Sequence, residues 1–201
     1  MLRVNPATAW RLLEMAQLRK GAWVVQSGAG TTVARLLAVL AREQGVNVIN
    51  IVRPHGAVDP ATRALADGEG LPAYVAALTG GAPVLAAFDC VAGETTGHLA
   101  ECLAPGGQLI VYGHLSGRPC QIPSTLLTGR GINVCGFSLR RAENGIGLGA
   151  LQGFYDRLAD WMMHNAPALP VAATLPLSRL AEALALTAER KAGRVMLALD
   201  G

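Results

Sequence analysis

Charge is scarce in this 201-residue sequence: 17 lysines and arginines and 14 aspartates and glutamates make 15% of it, against 51% hydrophobic. The net charge of +3 is small, and no basic cluster interleaves with the few aromatics, which argues against a nucleic-acid partner. Cysteine is sparse too. Cys90, Cys102, Cys120 and Cys135 are widely spaced and form no paired metal-ligand pattern, so no metal site is assigned. They read as free thiols in a reducing cytoplasm. No apolar run approaches membrane-spanning length, and Met1-Leu2-Arg3 leads straight into a helix without a signal peptide. The expectation is a cytoplasmic protein without a membrane partner. Repeats and low-complexity segments are absent as well. What is abundant is alanine, leucine, valine and glycine, a composition suited to a helix-covered parallel sheet with one sizeable core and an appendage.

Trp23 to Leu40 organises the rest. Ala22 to Val25 is an apolar run that reads as a buried strand. Ser27 to Thr32 is small and flexible. Val33, Leu36, Leu37 and Leu40 then fall at i, i+3, i+4 and i+7, the apolar stripe of a helix. Strand, glycine turn and helix make the first unit of a dinucleotide-binding fold. Gly28 and Gly30 let the backbone approach a pyrophosphate, and the helix start offers N–H groups to that anion. The motif is imperfect, because Val33 and Ala34 stand where a third glycine usually sits. Alone, a glycine pair of this kind also fits a plain tight turn.

A second strand, Val46 to Val52, ends in Arg53. An acidic residue at this place binds the ribose 2′-hydroxyl of NAD, whereas arginine accommodates a 2′-phosphate. Arg53 therefore points to NADP(H). Standing alone it reads equally well as a solvated surface arginine.

Along the rest of the chain, Asn5-Pro6 opens a helix to Arg19, with Asn5 as a good N-cap. Pro54-His55-Gly56 is a turn; Asp59–Ala66 and Leu71–Leu78 read as short helices. A third strand is not evident between Ala57 and Ala82, so that sheet edge is shortened or missing. Further strands are expected at Val84–Asp89, Leu109–Tyr112 and Ile132–Phe137, with helices at Thr95–Leu103 and Ile122–Leu127. Leu151, Phe154, Tyr155, Leu158 and Met162 form a helical stripe ending near His164. Val171–Leu175 and Arg194–Leu199 read as strands around a helix capped by Ser178. The alternation predicts an α/β, Rossmann-type doubly wound, mainly parallel sheet with helices on both faces.

The order of these motifs resembles the medium-chain dehydrogenase/reductase superfamily. The matching stretches are Val4 to Trp10, the glycine turn, Ile51-Val52-Arg53, Phe88 to Gly93, Gly106 to Gly113, Gly136 to Leu139 and Gly193-Arg194-Val195. The branch resembled most is the zinc-independent 2-enoyl thioester reductases, which reduce enoyl-CoA or enoyl-acyl-carrier-protein with NADPH. Members begin with a GroES-like catalytic domain that carries the tyrosine assisting protonation and much of the acyl pocket. Nothing resembling it stands here. The resemblance thus implies a cofactor half: residues 1–168 as an NADP(H)-binding domain, and 169–201 as a strand–helix–strand that in the family packs on the catalytic domain. By that analogy Val171–Leu175 and Arg194–Leu199 lack their usual sheet partners, a liability for apolar strands.

Carried over residue by residue, the resemblance implies that Gly30, Thr31, Thr32 and Val33 sit at the pyrophosphate, with the Thr31 hydroxyl a phosphate donor. Arg53 meets the 2′-phosphate, and His55 takes the place of a second basic residue, with a charge that depends on pH. Tyr112, Gly113, His114 and Leu115 line the nicotinamide side, as does the backbone of Phe137, Ser138 and Leu139. Many relatives carry tryptophan where Ser138 stands. Asn5 and Arg194 match further cofactor-contacting positions. Plainer readings stay open beside these. Asn5 can simply cap its helix, Tyr112 and Phe137 can be core, and His114 and Arg194 can be solvated. His98 and His164 read as structural, and Cys90 as a packing thiol, since no base is spaced to activate it.

Two functions follow. One is an NADPH-dependent oxidoreductase domain that transfers hydride to the double bond of an enoyl thioester, incomplete without a catalytic domain; no catalytic residue is assigned. The other is a non-catalytic NADPH-binding module, partner subunit or degenerate remnant. A zinc-type alcohol dehydrogenase fragment is disfavoured by the scattered cysteines and by Arg53. Partners expected are NADPH, an enoyl thioester, and either a separate catalytic-domain chain or further copies of this one. Fatty acid metabolism is the implied setting.

Overall fold

The computed structural model describes residues 3–53, 63–165, 171–188 and 193–199. Six parallel strands form one sheet in the order β3-β2-β1-β4-β5-β6. They are β1 (Trp23–Gln26), β2 (Asn47–Val52), β3 (Ala64–Ala66), β4 (Val84–Asp89), β5 (Gln108–Val111) and β6 (Asn133–Gly136). The order reverses between β1 and β4, which pair Val25 with Ala87 and Gln26 with Phe88. That reversal is the switch point at which such sheets open a crevice beyond their C-terminal strand ends.

Helices cover both faces. On one lie α1 (Asn5–Ala16), α2 (Thr32–Glu43) and α7 (Leu148–Asn165). Their core gathers Leu12, Leu36, Leu37, Leu40, Phe154 and Leu158 against Val24, Phe88 and Ile110. The edge of Trp10 meets Phe154 at 6.2 Å and Trp161 at 6.1 Å. On the other lie α3 (Leu71–Thr79), α4 (Glu94–Cys102) and α5 (Ser124–Arg130), packed through Leu71, Val75, Leu99 and Leu126 onto Val25, Ile49, Ile51 and Leu109. Because both faces are covered, the strands read as continuous apolar runs rather than alternating ones. A short helix, α6 (Leu139–Glu143), precedes α7. Among the described residues, no helix is long and apolar enough to cross a membrane.

Several expectations need correction. Asn5 does not cap α1: it is the first helical residue, Val4 is the cap, and no side chain bonds there. The helix ends at Ala16, not Arg19, because Gln17 takes a left-handed conformation. The edge strand is short, three residues, as anticipated, but Ala64–Ala66 form it rather than the end of a helix. Asp59 to Thr62 would have begun that helix and fall in a stretch, 54–62, outside the described residues, as does the 54–56 turn. Pairing with Asn50, Ile51 and Val52 overrides the helical preference of Ala64-Leu65-Ala66. The helix read at Ile122–Leu127 begins two residues later and runs to Arg130. Trp161, absent from the predicted α7 stripe, is buried there and donates its indole N–H to Glu43 at 2.7 Å.

Contacts divide the chain into two units, residues 1–166 and 167–201. The second contains β7 (Val171–Pro176), a 3₁₀ turn (Leu177–Arg179), α8 (Leu180–Ala188) and β8 (Arg194–Ala198). Ser178 lies inside the turn rather than capping α8. The strands pair with each other in parallel and with no further strand among the described residues. Leu175 and Ala183 are buried in this unit, while Leu184 and Leu199 are exposed.

Candidate functional site

The C-terminal ends of β1, β4 and β5 meet in one cluster. β1 runs directly into the glycine turn. There the Ser27 N–H donates to the Phe88 carbonyl at 2.9 Å, and the Thr31 N–H closes the turn on the Gly28 carbonyl at 2.8 Å. Gly28 is held at φ +62°, and a Cβ on it would stand 2.4 Å from the Cys90 sulfur. Only glycine fits both demands. Gly30 differs: its φ is ordinary and a Cβ would meet nothing within 4 Å. The fold therefore gives no reason for glycine at this position, whereas close approach of a pyrophosphate over the turn does.

Thr31 caps α2, its hydroxyl oxygen accepting the Ala34 N–H at 3.3 Å. The hydroxyl hydrogen remains as a donor, with the Tyr112 and Cys90 side chains beside it. Val33, second in the helix, has no intrahelical acceptor for its N–H. Ala34, at the place of the usual third glycine, is fully buried, and its carbonyl accepts from Gln26 Nε2 at 2.9 Å. The same nitrogen donates to Asn50 Oδ1 at 2.7 Å. One buried amide thus ties the start of α2 to β1 and β2, and a methyl group at Ala34 is accommodated.

Asp89 ends β4, is fully buried, and is the residue the sequence reading passed over. Its carboxylate accepts from the Ser27 hydroxyl at 2.7 Å, the Thr96 hydroxyl at 2.7 Å, and the N–H groups of Val91 at 2.8 Å and Ala92 at 3.2 Å. Ser27 Oγ in turn accepts the Cys90 N–H at 2.9 Å. A buried carboxylate with four donors is satisfied without an ion pair. The signal was available: one charged residue closing an otherwise apolar strand.

Cys90 and Tyr112 fill the base of the cluster. The Tyr112 hydroxyl is buried against the Cys90 thiol and the Thr31 hydroxyl. Burial pushes both groups up, so both stay protonated near neutrality. Cys90 is thus a packing thiol and not a nucleophile. Gly113 is required for close approach, since a Cβ on it would lie 2.9 Å from the Cys90 carbonyl oxygen. Leu115 N–H donates to that same carbonyl at 2.9 Å, which sets the loop containing His114.

The structure therefore brings Gly28, Thr31, Tyr112 and Gly113 together. Phe137 is tied to the end of β5 by its N–H on Val111 O at 2.8 Å, and Ser138 and Leu139 follow it into α6. Arg53 is exposed at the end of β2, and the Ala29 N–H reaches Ile51 O, two residues before it, at 3.4 Å. Asn5 stands at the start of α1, and Arg194 opens β8 in the second unit. His55 lies outside the described residues. His98 bonds Asp67 at 2.8 Å and His164 bonds the Asp160 carbonyl at 2.7 Å, both structural contacts. Among the described residues no cluster of three or more histidines, cysteines or carboxylates could hold a metal ion.

A parallel sheet with a glycine turn at its switch point defines a Rossmann-type dinucleotide-binding class. Within that class the chain belongs to the family described as zinc-binding dehydrogenase, whose model matches residues 64–197. It is 31% identical over 150 residues to the mitochondrial enoyl-[acyl-carrier-protein] reductase of Arabidopsis thaliana, covering 69% of this chain and 40% of that protein. The Schizosaccharomyces pombe enzyme of the same name is 30% identical, covering 68% of this chain and 41% of its own length. The chain thus spans about two fifths of the curated relatives it matches. Among solved structures, the Etr1p/NADP/crotonyl-CoA complex superposes with a TM-score of 0.83 at 20% identity, covering 98% of this chain and 60% of that one. The mitochondrial 2-enoyl thioester reductase heterodimer Etr1p/Etr2p of Candida tropicalis gives 0.83 at 18% identity, with the same coverage.

Proposed function

We propose that this chain is the NADP(H)-binding part of a 2-enoyl thioester reductase. The observation that carries the reading is the glycine turn at the switch point with Arg53 at the end of the neighbouring strand. Gly28 and Gly30 admit the pyrophosphate, Thr31, Thr32 and Val33 bind it, and Arg53, with His55, holds the 2′-phosphate. Tyr112, Gly113, His114 and Leu115, with Phe137, Ser138 and Leu139, orient the nicotinamide; Asn5 adds a contact. When bound, the cofactor supplies hydride for the double bond of an enoyl thioester. The named relatives support this reading. One similar structure is a complex with NADP and crotonyl-CoA, and the curated relatives are enoyl reductases.

In this reading the reaction needs more than the residues of this cluster. Among the described residues of the cluster, Asp89 is saturated by four donors and the Tyr112 hydroxyl is sealed from solvent, so neither is open to a substrate for proton transfer. A catalytic domain outside these residues would supply the acid and the acyl pocket. Residues 169–201, with exposed Leu184 and Leu199, suit packing on it. A non-catalytic NADPH-binding module is the second reading, favoured by that lack of an acid.

Titration with NADPH and NADH, followed by nicotinamide fluorescence, tests the cofactor half. Saturable NADPH binding that collapses in Arg53→Ala is expected; no saturable binding of either nucleotide overturns the reading. Enoyl-CoA turnover after adding a GroES-like domain separates the oxidoreductase from the silent module.

A further inference from the structure

Arg35 is the fourth residue of α2 and is exposed. Its Nε donates to the Gly30 carbonyl at 3.4 Å, so the guanidinium folds back over the glycine turn instead of extending along the helix. Among the described residues, no carboxylate pairs with it and this is its one side-chain hydrogen bond. A cation in the first turn of a helix also opposes the macrodipole, and no acidic residue there compensates. Among the described residues, no acidic partner rewards a positive charge at this place.

The turn is oriented. Its Gly28 end packs on Cys90, at β4, while its Ala29–Gly30 end reaches β2 through the Ala29 N–H on Ile51 O at 3.4 Å. Arg35 is tethered at the β2 end. Arg53 is exposed two residues past Ile51, at the close of the same strand. The Arg35 guanidinium is therefore held on the β2 side of the glycine turn, and Arg53 follows the strand that borders that side.

We infer that Arg35 is a second cation for the adenosine 2′-phosphate, acting with Arg53. This rests on the NADP(H) reading above and adds a specificity-determining residue to it. Four of the five guanidinium N–H donors remain for the phosphate after the Gly30 contact. Planar forks from two sides suit a dianion better than one arginine does. The Gly30 carbonyl pre-positions the side chain, which lowers the ordering cost of binding.

The test is fluorescence titration of NADPH and NADH with the unaltered chain, Arg35→Ala, Arg35→Lys, and Arg35→Ala combined with Arg53→Ala, each checked for an unchanged thermal midpoint. Arg35→Ala is expected to weaken NADPH by about tenfold, in line with a lost charged hydrogen bond, and to leave NADH within about twofold. Arg35→Lys recovers part of the loss, and the double variant no longer distinguishes the nucleotides. Equal losses for NADPH and NADH, or no loss for NADPH, overturn the Arg35 assignment alone. An unaltered chain that binds NADPH no better than NADH sinks the NADP(H) reading and Arg35 with it.

Discussion

The Ser27 hydroxyl donates to the Asp89 carboxylate at 2.7 Å, joining the first residue of the glycine turn to the end of the adjacent strand. The pair is buried, and the same Ser27 oxygen accepts the Cys90 N–H, so turn and strand are fixed from both sides. Asp89→Ala leaves two hydroxyls and two N–H groups without their acceptor. A loss of about 2–4 kcal/mol in urea unfolding is expected, whereas Ser27→Ala costs about 1 kcal/mol. Similar costs for both would show that Asp89 does not organise the cluster.

The two glycines of the turn should respond differently. Gly28→Ala forces a Cβ into the left-handed region and against the Cys90 sulfur, and is expected to destabilise by about 1–3 kcal/mol. Gly30→Ala meets open space and should leave the thermal midpoint unchanged while weakening NADPH by about tenfold or more. Undiminished binding by a folded Gly30→Ala variant would remove the pyrophosphate from that position.

Thiol reactivity separates Cys120 from Cys90 and Cys102. Cys120 is exposed, whereas burial, reinforced by the negative charges of Glu101 and Asp67, pushes Cys102 up to about 12. Burial also raises Cys90. A raised pKa means less thiolate at every pH below it. Maleimide labelling around pH 8, mapped by mass spectrometry, should modify Cys120 first and reach Cys90 and Cys102 only on unfolding. Rapid labelling of Cys90 in the folded protein contradicts the packing role.

Tyr155 donates to the Glu143 carboxylate at 2.7 Å and is raised to about 12 by burial and by that partner. A folded-state value above the unfolded one stabilises the protonated, folded protein below about pH 10, and that contribution fades as pH climbs through about 12. Tyr155→Phe should therefore lower stability at neutral pH and narrow its gap to the parent across that alkaline window. A gap that stays constant with pH would exclude the linkage.

Much of the sheet was legible because buried parallel strands are written as apolar runs: β4 falls on the predicted residues, Val84–Asp89. The α2 stripe was equally plain, since Leu36, Leu37 and Leu40 repeat at helical spacing and are all buried. β3 was not legible. Three residues of high helical preference carry no strand signal, and only the exposed edge of β2 makes them one. Asn5 and Ser178 show the converse, good capping residues that the backbone places off the cap position, Asn5 one residue inside α1 and Ser178 within the turn before α8.

The sequence by itself determined the alternation of strands and helices, the glycine turn and the arginine after the second strand, because these depend on spacing within short stretches. Only the tertiary structure decided what that turn is held by. Ser27 and Asp89 are 62 residues apart, and Gln26 and Asn50 are 24 apart. A hydroxyl, an amide and a carboxylate have no local periodicity. Their roles arise when the sheet removes them from water and each must find a partner across the strands.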